Sequence, residues 1–240
     1  MLSRLSIQWK ITLLAGLCLL VIVTLLVGTS LYQSQRTADV VKASSTGMLE
    51  EAAQKRMAAR GETQALRIQR YFGDVYQYGS GFTRQVKMLL GQARQHSLDP
   101  TAVRTDLAAQ MHTALQGNPN LLGLYVVFEP NGLDGQDAQF VDKADLGSNE
   151  QGRFALYWSQ SQSGELEPEA MKEELLNDTS IMSNGTPYNS WYTCPLKSGK
   201  ACVLDPYIDE VDKVKTLMTS IAFPVEVDGR PTAITGTFER

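Results

Sequence analysis

The hydrophobic pattern of this chain falls into three regimes. Ile11 to Tyr32 is apolar without interruption by a single charge. From Gln33 to His96 apolar residues recur at helical spacing, in Met48, Ala52, Leu66, Tyr71 and Val75, then Phe82, Val86, Leu89 and Leu90. This stretch has no proline and many Ala, Gln, Glu, Lys and Arg, so it predicts a long helix. Gly61, Gly73, Gly79 and Gly81 interrupt it and predict breaks near 79–81. Ser97-Leu-Asp-Pro100 ends the pattern, and Thr101 to Leu115 predicts a second helix, closed at Gly117-Asn-Pro-Asn120.

The period then changes to that of strands. Leu121 to Phe128 is a short, β-rich apolar run, and Phe154 to Trp158 is a second strand candidate. Glu165 to Asn177 is polar and acidic, and reads as a short helix or loop. A hairpin is expected around Cys194 to Ile208. A second one joins Thr216–Val227 to Thr232–Phe238 through a turn at Asp228-Gly-Arg230. Helices followed by an antiparallel sheet make the fold class α+β.

The uncharged run is 22 residues, which as a helix spans about 33 Å, enough for a bilayer core. A cleaved signal peptide is the competing reading, but its apolar core is usually shorter and ends at a small-x-small site. Arg4 and Lys10 precede the span and no acid occurs before Tyr32. Residues 1–10 are therefore expected in the cytoplasm, residues 11–32 in the membrane and everything after 32 outside it. Beyond the anchor, 20 basic residues stand against 26 acidic ones, a balance that argues against nucleic acid as a partner.

Cys18 lies inside the apolar run. Cys194 and Cys202 flank Lys197-Ser-Gly-Lys200, and a turn there brings them opposite each other for a disulfide; two free thiols on paired strands are the alternative. The only histidines, His96 and His112, lie in helical stretches, so no metal cluster is expected. No nucleophile elbow or phosphate loop is present, so neither an enzyme nor a cofactor is expected.

What remains is a concentration of aromatics and acids. Trp191, Tyr192, Tyr207 and Asp209 fall on the predicted first hairpin, and strand alternation puts Tyr207 and Asp209 on one face. Tyr157 and Trp158 on one strand candidate, and Tyr125 on another, add further aromatic walls. A carboxylate beside aromatic faces suits a small organic cation. The plainer alternative makes the aromatics sheet core and Asp209 a turn residue.

The order of these features resembles the ligand-binding region of bacterial transmembrane chemoreceptors, the methyl-accepting chemotaxis proteins with a double Cache fold. The residues that carry the resemblance are Trp191-Tyr192, Pro206-Tyr-Ile-Asp209, and the strand Met218 to Val225 ahead of Asp228-Gly229. The resemblance implies an inner-membrane anchor at 11–32 and a long periplasmic helix at 33–96, with a second copy as partner along it. It further implies a membrane-distal, PAS-like Cache module at 97–240 in which Asp209 holds the ligand's amino group. The same sensor on a histidine kinase or a diguanylate cyclase is the near alternative, and an anchored dimerisation scaffold the distant one. The resemblance also calls for a membrane-proximal module, a second span and an output domain, so the chain is expected to be a truncated receptor.

Three departures bear on the ligand. Amino-acid-binding members carry an arginine two before the Trp-Tyr pair, where this chain has Asn189, and a tyrosine seven before the Trp, where it has Asn184. A second aspartate normally follows the last strand, where Gly236-Thr-Phe-Glu239 stands here. Keeping the acid and aromatics without the cation shifts the expected ligand from amino acids or carboxylates to amines, such as a polyamine or a biogenic amine like histamine.

Overall fold

A computed structural model describes residues 7–161, 163–211 and 214–239. Arg4 and most of the expected cytoplasmic N-terminus lie outside the described residues. The chain divides into two compact units, Met1–Gln69 and Arg70–Arg240. The first unit is helical throughout its described length, as part of α1 (Ile7–His96). Its apolar stretch has a mean hydropathy of 2.8 and is exposed on all sides. A helix apolar all round needs lipid or protein to cover it, and this one is long and apolar enough to cross a membrane.

The second unit is an antiparallel sheet with helices on both faces. Its elements are the end of α1, α2 (Pro100–Gln116), β1 (Leu121–Phe128), β2 (Ala155–Gln160) and β3 (Leu166–Ala170). There follow α3 (Glu173–Leu176), α4 (Ser190–Ser198), β4 (Cys202–Val203), β5 (Tyr207–Val211), β6 (Val214–Val227) and β7 (Arg230–Glu239). The strand order is β3-β2-β1-β7-β6-β4, with β5 paired to the first part of β6. This is the expected α+β, PAS-like module.

Alternation along the central strands sorts side chains between two cores. Leu124, Val126 and Phe128 of β1 face α1 and α2, together with Phe82, Val86, Leu107 and Met111. Tyr125 and Val127 face the other way, toward Trp191 of α4 and Tyr207 of β5. All of β1 is buried, as befits a central strand covered on both faces.

Two ends are fixed as the sequence predicts. Asp99 caps α2 by accepting from the amide of Ala102 at 2.9 Å. Asp228 and Gly229 take left-handed φ angles of 52° and 75° in the β6–β7 turn.

Three expectations are corrected. The helix is not broken near 79–81: α1 runs on, and Gly79 instead makes room for Phe223, whose ring lies 2.4 Å from where a Cβ would stand. Glu165–Asn177 is not one helix or loop, because residues 166–170 form the edge strand β3. Pro168 is tolerated there because an edge strand can leave one side of its backbone unpaired.

The third correction concerns the hairpin expected from Cys194. Its first arm is the helix α4, which buries Trp191, Tyr192 and Pro195 on one side and ends at Gly199 in the left-handed region. Tertiary burial of that face overrides the β preference of its aromatics. Cys194 and Cys202 are nevertheless joined, with Cα atoms 6.2 Å apart, so the disulfide ties α4 to β4.

Buried arginines hold the long β1–β2 connection. Arg104 of α2 is fully enclosed, donates to Asp134, Asp137, Ser148 and the carbonyl of Gly152, and stacks on Phe140. Each of its buried donors thus has an acceptor, the condition under which a buried charge is tolerable.

Candidate functional site

On the α4 face of the sheet a cavity of about 130 Å³, the room of roughly four liquid waters, opens between β2, β3, β5 and α4. Tyr207 and Asp209 alternate onto the same side of β5 and both line it, as strand geometry requires. Trp191 reaches it from α4 and Tyr157 from β2. The strand β3 places Glu169 opposite Tyr157, and the loop before α4 supplies Tyr188. Met171, Leu175, Met218 and Phe238 complete an apolar wall.

Two glycines permit this layout. A Cβ at Gly123 would stand 2.4 Å from the Tyr157 ring, and one at Gly236 would stand 2.2 Å from that of Tyr125. Their absence lets both rings lie down on the sheet. Tyr125 then packs at 4.9 Å from both Trp191 and Phe238 and supports them from beneath.

The electrostatics of the cavity are one-sided. Its charged lining residues are the acids Asp209 and Glu169, with no Lys, Arg or His among the described lining. Tyr188 donates to Asp209 Oδ2 at 3.2 Å. Burial raises the hydroxyls of Tyr157 and Tyr188 above their ordinary value, and the negative charge of Asp209 adds to it. Tyr207 is raised by burial, then by Tyr125 and Asp209. The phenols therefore stay neutral around a negative field.

Of the residues singled out from the sequence, Tyr157, Trp191, Tyr207 and Asp209 are brought together. The other three are not on the cavity wall. Trp158 alternates to the opposite face, where it meets His112 of α2 at 4.8 Å. Tyr125 lies beneath the cavity, fully buried. Tyr192 turns away to bond Glu129 and Arg153, and Arg153 also holds Glu173 at 3.1 Å. Glu169 and Tyr188 escape sequence reading, although Leu166-Glu-Pro-Glu-Ala170 does alternate weakly.

The departures at 184 and 189 have structural roles here. Asn189 is buried and donates to the Leu176 carbonyl at 3.0 Å, and Asn184 donates to the Asp205 carbonyl at 2.8 Å. Neither lines the cavity. A larger, shallow groove of about 640 Å³ between α1 and α2 carries a single acid, Asp106. Among the described residues no group of three or more His, Cys, Asp or Glu is placed to hold a metal.

Residues 107–238 match the first PDC sensor domain of methyl-accepting chemotaxis protein-like proteins. Over 98% of its length the chain is 59% identical to methyl-accepting chemotaxis protein TlpQ of Pseudomonas aeruginosa, but it spans only 33% of that relative. Among solved structures, methyl-accepting chemotaxis protein X is similar with a TM-score of 0.53 and 27% identity. That match covers 70% of this chain and 55% of the other. The periplasmic sensory domain of the Campylobacter jejuni chemoreceptor Tlp1 shares the fold at a TM-score of 0.53 and 12% identity, over 73% of this chain and 56% of that one.

Proposed function

This chain belongs to the methyl-accepting chemotaxis protein-like family with a first PDC sensor domain, and from that premise we propose that its cavity binds a small extracytoplasmic amine for chemotactic signalling. The observation that carries the reading is the pair of acids, Asp209 and Glu169, in an aromatic cavity with no cationic side chain in its described lining. An ammonium group on Asp209 makes a charge-assisted hydrogen bond of about 1.5–3 kcal/mol. The faces of Trp191 and the tyrosines add about 0.5–2 kcal/mol for a cation. Two acids favour a polyamine or a biogenic amine over an amino acid, whose carboxylate they repel and for which Asn189 supplies no clamp.

The exposed apolar span supports an inner-membrane anchor with the sensor on the periplasmic side. Exposed Met48, Leu49, Met57 and Leu66 on α1 support pairing with a second copy. In the intact receptor, binding then shifts the packing of the long helix and with it the position of a transmembrane helix.

A thermal-shift screen of the purified chain tests the ligand class. At a hundred times its Kd, a true ligand stabilises by about 2.7 kcal/mol. Stabilisation by 1,4-diaminobutane or another amine is expected; stabilisation by dicarboxylates and none by amines rejects the reading.

A further inference from the structure

Residues 178–189, between α3 and α4, fold back on themselves beside β5. Backbone rungs close the fold: the amide of Asn189 donates to the Asp178 carbonyl at 2.9 Å, that of Tyr188 to Ser180 at 2.8 Å and that of Met182 to Thr186 at 2.9 Å. At the tip, Asn184 Oδ1 accepts from the amide and the hydroxyl of Thr186, and Gly185 turns the chain at a left-handed φ of 83°. At the base, Asn189 is buried and tied to the Leu176 carbonyl. The base is thus anchored in the core.

This narrow hairpin carries Tyr188, the cavity residue that donates to Asp209. Apolar packing does little to hold the rest of it: Met182 packs against the core, whereas Ile181 and Pro187 are exposed. A segment with few buried apolar contacts opens locally at low cost. What fixes the tip is polar. Asn184 Nδ2 donates to the Asp205 carbonyl, just ahead of β5, at 2.8 Å, and Ser183 Oγ accepts from the amide of Ile208 at 3.1 Å. The Asn184 side chain therefore acts twice: its oxygen shapes the turn and its nitrogen grips the neighbouring chain.

We infer that Asn184 is a positioning residue for ligand binding: by clasping the hairpin tip to the Asp205 carbonyl it holds Tyr188 against Asp209 and so retards the escape of a bound amine. The inference rests on the amine reading and places part of the site's retention on a residue outside the cavity wall. Asn184 touches no ligand; it acts through the hairpin that carries Tyr188. Without the clasp the tip leaves β5 while the base stays fixed, so the site keeps its acids and loses its closure. The effect falls on dissociation, because an amine's encounter with Asp209 and Glu169 needs no clasp.

Asn184→Asp separates the two actions of this side chain, since it keeps the oxygen that shapes the turn and removes the nitrogen that grips Asp205. The added negative charge by itself favours a cation, so a weaker complex reports the lost clasp. Asn184→Ser repeats the loss without the charge. Stopped-flow mixing of the full chain with 1,4-diaminobutane, followed by tryptophan fluorescence, gives the association and dissociation rates. Dissociation is expected to speed by about fivefold in both variants, the weight of one hydrogen bond, with association unchanged in Asn184→Ser. Hydrogen exchange in the ligand-free proteins checks the clasp itself: the Ile208 amide, bonded to Ser183, is expected to lose protection in both variants, and that of Val126 in β1 to keep it. Dissociation at the wild-type rate, or undiminished protection at Ile208, overturns the role of Asn184 and leaves the amine reading standing. Failure of wild type to bind the diamine overturns both.

Discussion

Gly123 and Gly236 act on the site without touching a ligand, since each leaves the space into which a tyrosine ring settles. Asn189 shows the converse: its amide is spent on the Leu176 carbonyl and does not reach the cavity. Tyr207 and Asp209 were legible from the sequence because a strand's period of two needs no tertiary information. Glu169 was not, because an acidic run containing Pro168 has no apolar signal to mark its strand. Trp158 was misassigned for a related reason: neighbours on a strand face opposite ways, so Tyr157 and Trp158 cannot share one cavity.

One buried acid makes stability depend on pH. Glu239 is fully enclosed at the end of β7 and receives a hydrogen bond from Thr237 at 2.9 Å. Burial pushes its carboxyl from 4.5 up to about 7, against the opposing effect of that bond. A carboxyl raised on folding stabilises the fold while it is protonated. Its contribution is complete below pH 4.5 and is lost as pH rises through about 7. The melting temperature is expected to fall across this window, and Glu239→Gln to flatten the slope. Scanning calorimetry over a pH series checks it; an unchanged slope in the variant contradicts it.

Elements with strong local signals were legible: β1, the β6–β7 hairpin and the capped α2 lie close to where pattern and turn chemistry put them. The elements that needed tertiary context were not. The helix α4 is rich in β-formers and carries Pro195, yet it folds as a helix because Trp191 and Tyr192 are buried together on one side. The glycines of α1 read as breaks, but at least one of them is a close-approach site for the sheet. Because the disulfide ties α4 to β4, it also holds Trp191 over the cavity. Replacing both Cys194 and Cys202 with serine is expected to cost about 2–3 kcal/mol and to weaken amine binding. Chemical denaturation and calorimetry of the double variant read these effects, and unchanged binding would show that α4 holds its place without the bridge.

At the scale of the whole chain, the first unit carries an apolar helical stretch and the second the sensor module. The curated relative that it matches, itself a methyl-accepting chemotaxis protein, is about three times longer than this chain. The apolar residues left exposed along α1 after the span are what a second copy would cover. Cysteine substitution at Met48 is expected to give a cross-linked dimer under mild oxidation in membranes, whereas Glu165→Cys, in a loop of the sensor module, is expected to give little; equal yields at the two positions would count against pairing through α1.

The most direct measurement is calorimetric titration of 1,4-diaminobutane into the wild-type chain and into Asp209→Asn, which keeps the side chain's shape and removes its charge. The account predicts saturable binding by wild type and a loss of at least tenfold in affinity in the variant, the expected cost of one charge-assisted hydrogen bond. Equal affinity in both proteins, or binding of succinate in place of the diamine, would contradict it.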